Sequence, residues 1–175
     1  MTDEQLRIRT YLQAQGAKLA PVDLVERVRA AMGQVHEAVT AVPASRFNER
    51  PETDEWSANE VMAHVVTAGA RFAERITGVL DGRAPGGAVA DVLERGAPEH
   101  TAEEWWSTFA AAREELFARV LRADPAEHPE QVIEHPFFGA LSWREALLFL
   151  RLHDLDHSGQ LQKIASALST STARG

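Results

Sequence analysis

Residues 142–168 read SWREALLFLRLHDLDHSGQLQKIASAL, and this stretch decides how the whole chain is read. Ser142 and Glu145 form a capping box, S-x-x-E, which predicts a helix start. At about 3.6 residues per turn, His153 and His157 lie one above the other on one face. Ala146, Leu150, Leu161, Ile164 and Leu168 fall within roughly 40° of His157 at about 100° per residue. The two imidazoles are therefore set into the apolar stripe of their helix. A polar group in that position needs a partner: a carboxylate, a backbone carbonyl, a water or a metal ion. An i, i+4 histidine pair can supply two metal ligands from one rigid element. The zinc-protease helix carries a glutamate after its first histidine. Asp154 stands in that place here, so a glutamate-based protease mechanism does not transfer.

Working outward, three further capped helices are predicted. Thr2 and Gln5 open a short helix that continues to about Gln15, before Gly16. Leu24, Val28, Met32, Val35, Val39 and Val42 then mark a long amphipathic helix ending near Pro43. Ser57 and Glu60 cap a helix that runs to about Leu80 with Val61, Val65, Ala68, Phe72, Ile76 and Val79 on its apolar side. Asp81-Gly82 and Pro85-Gly86-Gly87 break it. Thr101 and Glu104 open another, through Trp105, Phe109, Leu116 and Leu121, stopped near Pro125. Residues 132–139 read as a short extended pair or a turn. The fold expected is all-α, a four-helix bundle forming one domain over residues 1–175, with an appended helix at 1–16 and a flexible tail at 169–175. Connections of roughly a dozen residues exceed ordinary bundle turns, so parallel neighbours are possible.

Composition removes several functions. With no cysteine among 175 residues, disulfides, thiolate metal sites and a cysteine nucleophile are excluded. A net charge of -8 and the lack of any basic stretch argue against nucleic acid as a partner. No apolar run is long enough to cross a bilayer. The polar N-terminus lacks a secretory pattern, so a cytoplasmic protein is expected.

His64, about two turns into its helix and on the margin of the apolar stripe, is the candidate third ligand. Should the two helices start at the same end of the bundle, the three imidazoles would converge. Arg71 and Arg75, further along on nearly the same side, are candidates for receiving an anionic ligand, against the plainer reading of a solvated face. Asp154 and Asp156 flank the histidine pair, and one of them can hold a ring N–H and fix its tautomer. His36 reads as half-buried and structural, with ligation as the alternative, His100 and His128 as solvated loop residues, and His135 as a residue able to orient the loop over a site. Trp56 and Trp143 read as staples at helix entrances. Of Trp105 and Trp106, one points inward and the other is partly exposed.

Two segments together resemble the DinB/YfiT-like superfamily: Trp56-Ser57-x-x-Glu60-Val61-x-x-His64, and Phe138-Gly139-x-Leu141-Ser142-x-x-Glu145-Ala146 followed by His153-x-x-x-His157-x-x-Gln160. The resemblance implies a bundle with up-down-down-up connectivity, often a homodimer, and a divalent metal on His64, His153 and His157. It also implies a small-molecule substrate, since relatives include S-transferases using bacillithiol or mycothiol-type thiols. A metal on three neutral imidazoles keeps open positions and lowers the pKa of a bound thiol. Zinc or nickel both suit imidazole donors. The function expected is thus a metal-dependent thiol S-transferase acting on small electrophiles, with a low-molecular-weight thiol as co-substrate. The alternatives are a metal-dependent hydrolase and a non-catalytic metal-binding stress protein of the same fold.

Overall fold

The computed structural model describes residues 2–84, 86–87, 97–124, 126 and 128–171. The breaker Pro85, the stop at Pro125 and the tail 172–175 lie outside the described residues. The elements are α1 (Asp3–Lys18), α2 (Pro21–Thr40), α3 (Ala58–Leu80), α4 (Ala102–Val120), β1 (Ile133–His135), β2 (Gly139–Leu141) and α5 (Trp143–Ser171). A single 3-10 turn, Ala44–Arg46, follows α2.

The helices start where side chains can satisfy their free N–H groups. Thr2 with Gln5, Ser57 with Glu60 and Thr101 with Glu104 each make both bonds of a capping box. At α5, Ser142 N–H donates to Glu145 Oε2 (2.9 Å) and Glu145 N–H donates to Ser142 Oγ (3.3 Å). For α2 the start is Pro21 at the first turn, with Asp23 accepting from Ala20 N–H at 3.3 Å. Arginines serve the opposite ends. Arg144 donates to the carbonyls of Gly16 (2.6 Å) and Leu19 at the end of α1, and Arg119 donates to Leu80 O at the end of α3.

Contacts between helix ends fix their directions. Arg144, at the start of α5, reaches the chain just before α2, and Arg46, just after α2, donates to Leu168 O near the end of α5. Those two helices run parallel. Asn59, at the start of α3, accepts from Trp105 Nε1 (2.7 Å) at the start of α4, and Arg119, at the end of α4, meets Leu80 and Asp81 at the end of α3. These two are also parallel. Arg29 pairs with Glu114 while His36 stacks on Trp106, so α2 and α4 are antiparallel. Phe72 meets Phe149 while His64 meets His153 and His157, so α3 and α5 are antiparallel. Up-down-down-up follows, with each of α2 and α3 packed on both α4 and α5.

The core lies between these four helices. Leu24, Val28, Val35 and Val39 of α2 face Leu147, Leu150, Leu161 and Leu168 of α5, all at most 2 % exposed. The condition of a shared starting end for the helices carrying His64 and the histidine pair is corrected: α3 and α5 begin at opposite ends. The imidazoles still meet, because His153 and His157 sit near the middle of the 29-residue α5. The first helix runs on to Lys18 instead of stopping at Gln15. Gly16 is buried there, and an added Cβ would lie 3.0 Å from Glu145 Cγ, so this glycine serves close packing on α5. The expected tail is likewise shortened, since α5 continues to Ser171. β1 and β2 pair antiparallel, with His135 opposite Gly139 and three residues between them. Gly139 has φ +69°, a left-handed conformation suited to glycine in such a turn. Among the described residues no helix is long and apolar enough to cross a membrane.

Candidate metal centre

His64 comes from the second turn of α3, and His153 and His157 from successive turns of α5. One ring nitrogen of each lies within 4.8 Å of the others. Ring centroids are 5.1 Å apart for His64 and His153, 4.8 Å for His64 and His157, and 4.4 Å for His153 and His157. His64 and His157 are each 9 % exposed, enough to meet a ligand from one side only. His157 Nδ1 lies 2.9 Å from Gln160 Oε1, which can only accept. The ring proton is thereby held on Nδ1, leaving Nε2 with its lone pair. Burial, reinforced by neighbouring His153, pushes the His157 imidazole below its ordinary value and favours the neutral, ligating form.

His64 Nε2 and His153 Nε2 are 3.1 Å apart. Without a cation one of them must carry a proton for the other to accept. His153 Nδ1 is buried and makes no hydrogen bond, its neighbour Asp154 Oδ1 being 3.8 Å away. A divalent cation held by His64 and His153 would remove the need for that shared proton, and the His153 ring proton would then lie on Nδ1, on the side of Asp154. The donor set, three imidazoles with no carboxylate or thiolate among them, fits a divalent metal ion.

Asp154 has another partner that spacing did not reveal. Arg113 of α4, 3 % exposed, donates from Nη2 to Asp154 Oδ1 at 2.8 Å, and Asp154 is fully buried. The guanidinium is accommodated by Gly69, where an added Cβ would come within 3.0–3.2 Å of it. Arg113 occupies a core position in the stripe Trp105, Phe109, Arg113, Leu116, Val120, and that misplaced charge was the available signal. Trp56 is more than a staple: its ring lies 5.4 Å from His64 and stacks at 6.4 Å on His157. Trp143 is buried at its helix entrance. His135 orients the hairpin, its Nδ1 accepting from Phe137 N–H (3.1 Å) and Phe138 N–H (3.3 Å).

The histidines line one side of a cavity of about 530 Å³, whose other walls include Trp56, Ala68, Phe72, the hairpin tip and Phe149. The α3 wall follows the ridge His64, Ala68, Phe72. Arg71, half-buried, falls on the other flank of that ridge and does not line the cavity. Arg75 is directed towards Gly86 instead. Asp156 does line the cavity. His36 is half-buried on Trp106, His100 is exposed against Trp105, and His128 lies 3.8 Å from Glu130, all away from the cluster.

An up-down-down-up helical bundle whose antiparallel α3 and α5 bring three histidines to one cavity defines a class of bundle proteins able to hold a divalent metal ion. Residues 24–161 match the DinB superfamily, and the chain belongs to it. No curated protein matches the sequence.

Proposed function

We propose that this protein is a divalent-metal-dependent enzyme, a thiol S-transferase acting on small electrophiles. The observation that carries the reading is the convergence of His64, His153 and His157 at the edge of a cavity large enough for a small molecule. A divalent ion on these imidazoles would supply Lewis acidity, lowering the pKa of a thiol or water that reaches it. The chain's own residues do the rest. Gln160 holds the His157 tautomer, Trp56 covers the cluster on one side, and the aromatic walls exclude water from the reacting groups. The transferred thiol comes from a small molecule, because the chain has no cysteine of its own. Its sulfur bonds to the electrophilic carbon, the leaving group departs with the bonding pair, and the thiol proton passes to solvent.

Asp156 favours a second reading. A carboxylate lining the cavity beside the histidines can act as general base towards water, giving a hydrolase. The resemblance to thiol transferases supports the first reading, and it carries with it a homodimer, checked by sedimentation equilibrium.

The test starts with metal per chain, measured by plasma mass spectrometry on tag-free protein beside His64→Ala and His157→Ala. Near-stoichiometric zinc or nickel, lost in both variants, supports the centre; no metal even after reconstitution overturns it. Turnover of a panel of electrophiles is then followed with and without added thiols. A transferase consumes thiol in proportion to product, a hydrolase works without it, and metal without any turnover means a binding protein.

A further inference from the structure

The cavity beside the histidines is unusual in its charge. Its walls carry the rings of Trp56, Phe72, Phe137, Phe138 and Phe149, whereas among the described residues Asp156 is its one acidic residue and no lysine or arginine lines it. Phe72 and Phe149 are 5.0 Å apart and Phe138 lies 5.8 Å from Phe149, so these rings form a continuous surface, with Phe137, 54 % exposed, at the rim. Away from the histidines, an anion would lose its hydration among aromatic faces, near a carboxylate, in a chain of net charge -8, and only a cation held by the histidines would offset that loss. An uncharged aromatic molecule would lose little and gain ring contacts.

One wall comes from outside the bundle. Ile8 of α1 lines the cavity, and α1 precedes the residues that match the superfamily. The helix is tied to α5 by Arg144 on the carbonyls of Gly16 and Leu19 and by Arg151 donating to Tyr11 Oη at 3.2 Å. Ile8 is therefore held in place by the fold.

We propose that this cavity binds an uncharged aromatic co-substrate, and that Ile8 of the appended helix is a specificity-determining wall of that site. What the bound molecule undergoes there rests on the metal-dependent reading; its binding does not. The test uses two fluorescent probes with one ring system, neutral N-phenyl-naphthylamine and its anionic counterpart anilinonaphthalene sulfonate. Both are titrated into the full-length protein as purified and again after chelation. The neutral probe is expected to saturate at one per chain in both preparations and, after chelation, to bind at least about tenfold more tightly than the sulfonate; a metal ion at the histidines would narrow that ratio. Ile8→Lys, which brings a cation to the wall, should shrink that ratio to about threefold or less, and Phe137→Ser should weaken the neutral probe, each with an unchanged circular dichroism spectrum. Equal or tighter binding of the sulfonate after chelation overturns the proposal, as does lack of saturation by both probes. A preference insensitive to both substitutions places the probe elsewhere and also overturns it. Protein that holds no metal but keeps the expected preference and its sensitivity to Ile8→Lys supports this proposal while sinking the metal-dependent reading.

Discussion

Arg113 and Asp154 meet where neither can reach water, and removing one partner leaves the other as an uncompensated buried charge. Arg113→Met should cost about 3–5 kcal/mol in urea unfolding, and adding Asp154→Asn should recover most of it. A single-variant cost below about 1 kcal/mol would mean that Asp154 is neutral or hydrated in the native protein. His157 gives a second expectation. Its imidazole is held below the ordinary 6.5 by burial and by His153, so the unfolded chain binds more protons than the native one below that pH. The contribution is fully present above 6.5 and is lost as pH falls through the depressed native value. Metal-free protein should therefore lose stability on acidification, with a shallower slope in His157→Gln. At this scale the sequence was legible wherever a local period carried the meaning: the i, i+4 pair and the depth of His64 are properties of single helices. Arg113 and Trp56 acquire their roles from neighbours that the fold brings in on α5, Asp154 and His157, and no local spacing names those neighbours. Gln160 stood in the quoted motif, but its role depends on a rotamer that reaches His157.

The elements show the same division. Four capping boxes were readable because each is a bond pair within four residues, and all four form. Helix direction was not readable from spacing, since it depends on how the long connections cross, and only the family resemblance implied the up-down-down-up order. The antiparallel pairing of α3 with α5 is visible in contacts such as Phe72 with Phe149. The hairpin lies between these cases: the sequence predicts a short extended pair or a turn, and its tip is set by the His135 ring accepting two backbone N–H groups. Each such bond contributes about 1 kcal/mol. His135→Ala should speed amide exchange at Phe137 and Phe138 by roughly fivefold or more, the equivalent of about 1 kcal/mol. His135→Asn, which keeps an acceptor near the same place, should restore part of the protection. Unchanged exchange in the alanine variant would assign the order of the tip to the packing of Phe138 alone.

For the whole molecule, the question is whether a metal would build the fold or merely fasten it. Buried apolar residues are spread over all five helices, from Leu12 of α1 to Leu168 of α5, far from the histidine cluster as well as around it. The chain therefore resembles a domain that folds on its core, unlike a small metal-nucleated finger. The three histidines, however, come from two antiparallel helices, so an ion bound there would add a cross-link that the unfolded chain cannot offer. A ligand present at about 100 times its Kd stabilises the native state by about 2.7 kcal/mol. For a chain of this size that corresponds to a rise in Tm of about 5–10 °C. Calorimetry should show chelated protein still unfolding cooperatively, at a temperature lower by that amount. The increment should shrink on acidification, because each imidazole must be neutral to ligate. His64→Ala should abolish the increment while leaving the chelated Tm within about 2 °C of the parent, since a partly exposed imidazole is removed from the cavity wall and the core behind it is untouched. Loss of cooperative unfolding on chelation would instead make the metal part of the fold, and the core between α2 and α5 insufficient by itself.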